Sequence, residues 1–186
     1  MIHSIRSIIH PSSHIDFDKV YGKNGKLVVG SNCDLVNLQI IFSAPNSLCQ
    51  IGDNCSLSGT IKIGANSSCC IGNNVSSAKN FSITALESTT CYIGNDCLFS
   101  HDVLIRTSDG HNIYDLNGER LNSAESILIE DRVWVGCRVV ILKGVIIRSD
   151  SVVGAGSIVT ESFDNSNVII AGNPAEIIKK DICWKY

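Results

Sequence analysis

His111 lies in the run Thr107-Ser108-Asp109-Gly110-His111-Asn112-Ile113-Tyr114-Asp115, which is polar and rich in turn formers. Imidazole titrates near neutrality, so a histidine at the root of such a loop is suited to take a proton from a hydroxyl or an amine. Asp109 and Asp115 are near enough in sequence to orient the ring, and the plainer reading is a solvated histidine bonded locally to Asp109. His101, two residues beyond Phe99, should point outward and is a candidate for binding an acceptor, as is Asp109. Zinc chemistry of the carbonic anhydrase kind needs three histidine ligands, and this region offers only His101 and His111, so no metal is expected. Nine cysteines suggest a second chemistry, but none forms a Cys-x-x-Cys pair.

The elements that must position these residues are set by an unusual period. Ile129, Val135, Ile141, Ile147, Val153 and Val159 place a β-branched aliphatic at every sixth position. That spacing fits neither the 3.6-residue repeat of a helix nor the alternation of a simple strand. It fits a parallel β-helix, in which one residue per hexad points at the axis and three hexads close a triangular coil. Positions 129 and 147, 135 and 153, and 141 and 159 should then stack. A looser version precedes it in Val29-Gly30, Ile51-Gly52, Ile63-Gly64, Ile71-Gly72 and Ile93-Gly94. The spacings of 22, 20 and 22 residues between positions 29, 51, 71 and 93 call for extra residues in loops or longer sides. Cys33, Cys55 and Cys97 fall four after an inward aliphatic, and Cys49, Cys69 and Cys91 two before one. All six read as small apolar filler, while Cys70, Cys137 and Cys183 lie off this register. The pattern pauses once. Ile105 and Ile129 are 24 residues apart where six would do, so residues 107–126 should leave the coil as an arching loop.

The expected organisation is one all-β domain. Residues 1–27 form an irregular N-terminal cap that holds His3, His10 and His14, and residues 28–172 form the coil with its excursion at 107–126. Residues 173–186 form a short C-terminal helix and tail, with Asn173 as N-cap and Pro174 as first helical residue. An aromatic content of 6% suits a narrow core of stacked Ile and Val. A net charge of -3 without a basic run argues against nucleic acid as a partner. No apolar stretch reaches signal-peptide or membrane-span length, so the expected location is the cytoplasm.

The run Val133-Trp134-Val135-Gly136, with Ile141-Leu142-Lys143-Gly144-Val145, Val153-Gly154-Ala155-Gly156-Ser157-Ile158-Val159-Thr160 and Ala171-Gly172-Asn173-Pro174-Ala175, resembles the hexapeptide-repeat acyltransferases. The likeness is to the galactoside, maltose and polysaccharide O-acetyltransferase branch, strong over residues 93–180 and by repeat pattern alone over 28–92. It implies a left-handed parallel β-helix assembled as a homotrimer, with acetyl-CoA along the coil groove and active sites between subunits. It further implies that His111 is the catalytic base for direct transfer, and that Trp134 and Cys137 lie near the thioester, the latter as oxyanion partner. Gly136, Ala155, Gly156, Thr160 and Gly172 would accompany the pantetheine arm. Where relatives commonly follow this Thr with Lys or Arg, the chain has Glu161, so Lys179 and Lys180 become the candidates for the 3'-phosphate of CoA. The activity implied is O-acetylation of a sugar hydroxyl in bacterial surface polysaccharide modification. The alternatives are N-acetylation of an amino sugar nucleotide and a noncatalytic β-helix module.

Overall fold

Ile129 pairs with Ile147, Val135 with Val153 and Ile141 with Val159, each one coil below its partner. The computed structural model describes residues 5–22 and 24–185; the first four residues of the expected cap, His3 among them, and Lys23 and Tyr186 lie outside the described residues. The chain winds into a parallel β-helix whose three faces are three sheets. The first face carries Gly25–Val29, Ser47–Ile51, Ser68–Ile71, Thr90–Ile93, Ile127–Ile129 and Ile146–Ile147. The second carries Ser76–Ser77, Leu98–Phe99, Trp134–Val135, Val152–Val153 and Ile169–Gly172. The third carries Leu38–Phe42, Gly59–Ile63, Phe81–Ala85, Leu104–Arg106, Val140–Ile141 and Ile158–Val159.

The loose spacing of the early coils comes from longer sides. Strands Leu38–Phe42 and Gly59–Ile63 have five residues, whereas Val140–Ile141 has two. Only the short-sided coils therefore keep a strict period of six. The inward residues stack into one continuous core that includes Ile51, Ile93, Ile129 and Val135. Cys49, Cys69 and Cys91 are register partners on the first face, each fully buried. Burial pushes the Cys55 and Cys97 thiols up to about 12, the behaviour of filler and not of nucleophiles.

The corners use residues that tolerate left-handed backbone. Asn32, Asn54, Asn74 and Asp96 have φ of 56°, 56°, 56° and 57°, and their side chains form a hydrogen-bonded ladder down the corner. Gly59, at φ +148°, has no alternative: a Cβ there would sit 1.9 Å from the Phe81 carbonyl oxygen.

Two expectations about the termini are corrected. The residues assigned to an irregular cap already form a coil: Arg6–Ile9 pairs with Gly25–Val29, His14–Ile15 with Asp34–Leu35, and Val20–Gly22 with Leu38–Phe42. This end coil packs Ile5, Ile9, Ile15 and Val20 against the core while Ile8, Phe17 and Tyr21 stand outward. The C-terminal helix is absent. Ala175–Lys179 is a strand, antiparallel to Ile169–Gly172, which turns the chain back on the second face. The β-branched pair Ile177-Ile178 and the unpaired edge of Ile169–Gly172 outweigh the helix-start signal of Asn173-Pro174. Among the described residues no helix is long and apolar enough to cross a membrane.

Candidate active site

The excursion leaves the third face after Arg106 and rejoins the first at Ile127. Its base is tied to the coil. Thr107, fully buried, bonds the Thr89 hydroxyl at 2.5 Å and accepts from the Leu86 amide at 3.1 Å. The Glu125 amide donates to the Thr107 carbonyl at 3.0 Å and closes the loop. Glu87, one coil earlier, accepts from both the Ser108 hydroxyl and Arg120. These two donors, the hydroxyl first, hold its carboxyl below the usual range. Further out the chain forms a small hairpin, with Leu121 N bonded to the Ile113 carbonyl at 2.8 Å and Asp115 accepting from the Asn117 and Glu119 amides.

Asn122 positions His111. Its side-chain amide, 8% exposed, donates to the His111 carbonyl and to Asp109 Oδ2, both at 2.8 Å, and accepts from Ile113 N at 2.7 Å. The backbone is thus held on both sides of His111 while the side chain faces solvent. Asp109 also bonds Lys143, which reaches up from the coil. It is engaged there and not with the imidazole, while Asp115 is spent on its own turn.

The Lys143 ammonium, and then the Asn122 amide, hold the Asp109 carboxyl below its ordinary value. A depressed carboxylate contributes stability that is present above its unfolded pKa and lost as pH falls through the folded one. The anchor between loop and coil is therefore intact at neutral pH and released only in acid. Lys143→Met is expected to move the Asp109 titration upward, toward the ordinary carboxylate range, in a carboxyl-carbon NMR titration; an unmoved titration would remove Lys143 as the cause.

The other residues singled out from the sequence occupy a different corner. Arg138 N donates to the His101 carbonyl and Gly156 N to the Cys137 carbonyl, so His101, Cys137 and the Ala155-Gly156 turn stack in successive coils between the second and third faces. Gly136 lies under this column, where a Cβ would meet Ala155 N at 2.7 Å. Gly156, at φ +73°, has open space on its Cβ side, and Gly172 N bonds Ser157 Oγ at 3.2 Å. Backbone is thus accessible for an elongated ligand along this corner. Trp134, 39% exposed, stands outward on the second face. Thr160 follows Val159 at the corner between the third and first faces, the corner of Lys143 and the loop. Lys179 ends the terminal strand and Lys180 follows it, both exposed.

One chain thus brings His111, Asp109, Lys143 and Thr160 to one corner, and Trp134, Gly136, Cys137, Ala155, Gly156 and His101 to another side. A full hexad, on the order of 20 Å of extended chain, separates them. Sequence reasoning missed the roles of Asn122, Glu87 and Lys143, whose contacts span 13, 21 and 34 residues. Among the described residues no three His, Cys, Asp or Glu side chains gather where a metal ion could be held.

No family model matches the sequence. The chain is 36% identical over 167 residues to a polysialic acid O-acetyltransferase of Neisseria meningitidis, covering 89% of this chain and 77% of that one. The crystal structure of the polysialic acid O-acetyltransferase OatWY superposes with a TM-score of 0.90 at 33% identity, over 97% of this chain and 90% of that one. A galactoside acetyltransferase in complex with coenzyme A superposes with a TM-score of 0.52 at 26% identity, over 75% of this chain and 65% of that one. The same left-handed parallel β-helix underlies these enzymes. With its hexad columns, single loop excursion and these relatives, the chain belongs to the hexapeptide-repeat acyltransferases and is an O-acetyltransferase.

Proposed function

We propose that the chain transfers the acetyl group of acetyl-CoA to a sugar hydroxyl of a surface polysaccharide, with His111 as general base. The observation that carries this reading is the clamp of Asn122 on the His111 backbone, which fixes the stretch of chain that presents an exposed imidazole. An imidazole nitrogen takes the hydroxyl proton as the acceptor oxygen bonds to the thioester carbonyl carbon. The C–S bond then breaks, and the departing CoA thiolate takes that proton. The Gly136 and Arg138 amides are committed to the Val153 and His101 carbonyls. The Cys137 N–H is the amide of that turn that would face the developing oxyanion. The pantetheine arm would follow Ala155, Gly156 and Gly172 of one copy and Thr160 of the copy that supplies the loop, and Lys179 or Lys180 would meet the 3'-phosphate.

The separation of the two half-sites calls for a second copy of the chain. Outward residues support this reading. On the third face they run from Gln39, Thr60 and Ser82 to Leu104, Val140 and Ile158, and on the first from Gln50 and Cys70 to Tyr92, Leu128 and Ile146. The later coils present the apolar surface that subunit contacts use. A homotrimer, with the loop of one copy against the Trp134 face of the next, places both half-sites together. The reaction would run in the cytoplasm, where acetyl-CoA is made.

An acetyl-CoA consumption assay over neutral sugars, sialic acid, polysialic acid and amino sugar nucleotides tests the proposal. Release of CoA with ester formation on a saccharide is the expected result. Turnover confined to an amino sugar nucleotide would replace O-transfer by N-transfer.

A further inference from the structure

Trp134 stands at the head of a trough on the second face. The outward residues that pair upward from it are Leu98, Ser76 and Ser56. Side chains thus shrink abruptly beyond Leu98, and the face sinks. One wall is the corner ladder of Asn54, Asn74 and Asp96, followed by Arg132, and together with the two serines these residues line a cavity of about 530 Å³.

Trp184 of the C-terminal tail lines this space at its lower end. The tail is fastened down: Ile182 N donates to the Asn167 carbonyl at 3.0 Å, Asn167 Nδ2 to the Ile182 carbonyl at 3.2 Å, and Trp184 Nε1 to the Arg132 carbonyl at 2.8 Å. The Trp184 ring packs against Trp134, with centroids 6.2 Å apart and planes at 44°. An aromatic platform beside a row of amides and hydroxyls is the chemistry that recognises a sugar, whose C–H face stacks and whose rim hydrogen-bonds. The row repeats at the coil spacing, about 4.8 Å, a step close to the width of a pyranose ring.

We infer that this trough is an extended acceptor subsite that holds several consecutive residues of a linear saccharide, directing one of them past Trp184 toward Trp134. The inference rests on the O-acetyltransferase reading and deepens it, since it gives the acceptor residues beyond the acetylated one a place on the coil. A saccharide fits better than a second protein copy because the trough is walled by Ser, Asn and Asp, while the apolar outward residues of the first and third faces belong to later coils.

The test compares kcat/KM across sialic acid, its short oligomers and the polymer, with a maltose-type ladder run in parallel. The protein is used as wild type, as Ser56→Tyr, which fills the trough at an exposed bridge position, and as Trp184→Leu, which removes the platform. In the wild type kcat/KM is expected to rise at least about tenfold with acceptor length on one ladder, a gain equivalent to about 1.4 kcal/mol. Ser56→Tyr should abolish this gain and leave the rate on the shortest acceptor unchanged. Trp184→Leu should also reduce it. Thermal midpoints and the oligomeric state of each variant are measured alongside. A flat length dependence in the wild type, or a gain that survives both variants, overturns the inference. So does a change in oligomeric state by Ser56→Tyr with the length dependence intact, which would make the face a contact between copies. Transfer to short acceptors without a length effect leaves the O-acetyltransferase reading standing; transfer to no saccharide removes both.

Discussion

His111→Ala is expected to lower kcat by about 10²- to 10⁴-fold, the usual contribution of a positioned general base, without changing the dissociation constant of acetyl-CoA. The loss should be confined to turnover because the loop is not held by the imidazole. Asn122 grips the His111 carbonyl and the Ile113 amide, and the Thr107, Ser108 and Arg120 anchors lie elsewhere. Removing the ring therefore leaves the loop's hydrogen bonds in place. The groove proposed for the donor would also be remote in the same chain, since Cys137 and the Ala155-Gly156 turn stack on another corner. Steady-state kinetics paired with calorimetric titration of CoA checks both halves of this expectation. Full turnover in the variant would remove His111 as the base. Weakened CoA binding would instead point to a collapsed loop.

The largest effect on stability is expected from Phe99→Ala, a loss of about 3–5 kcal/mol. Phe99 is fully buried at the axis and packs against Phe81 with ring centroids 4.8 Å apart. The cavity left behind cannot collapse. Each coil is fixed to the next by its ladder, Phe99 to Val135 on one side and to Ser77 on the other, so neighbouring walls move inward only by breaking backbone hydrogen bonds. The small Ser77 above also offers no side chain to fill the gap. Denaturant unfolding gives the number, and a loss under about 1 kcal/mol would mean that the axis repacks freely. A globular core with mobile helices relaxes part of such a void, which is why the upper part of the range applies here.

The coil was legible in the sequence where its sides are short. Between Ile129 and Val159 two-residue strands keep the inward residues six apart, and every expected pair is found. The first coil escaped notice although Ile9 and Ile15 are also six apart, because the next inward residue, Val20, follows Ile15 by five and breaks the period. The terminal helix was misread from Asn173-Pro174 because a local start signal says nothing of the sheet edge waiting at Ile169–Gly172. The loop that carries His111 was legible as the one long interruption of the hexads, between Ile105 and Ile129. Its supports were not. Glu87 and Lys143 reach the loop only because the coil stacks residues 21 and 34 positions away beside it, and no local pattern marks the one asparagine that is buried.

The three pairs that flank the excursion are Ile93 with Ile129, Phe99 with Val135 and Ile105 with Ile141. Each spans the same 36 residues on a different face, so the inserted segment changes no stacking partner anywhere in the coil. To the scaffold the loop has zero length. It is a cassette, plugged in at Thr107 and Glu125, whose interior can be exchanged, lengthened or rewritten while the columns beneath keep their register. Variation in this one segment is thereby uncoupled from the coil, which meets the same partners whatever the loop contains.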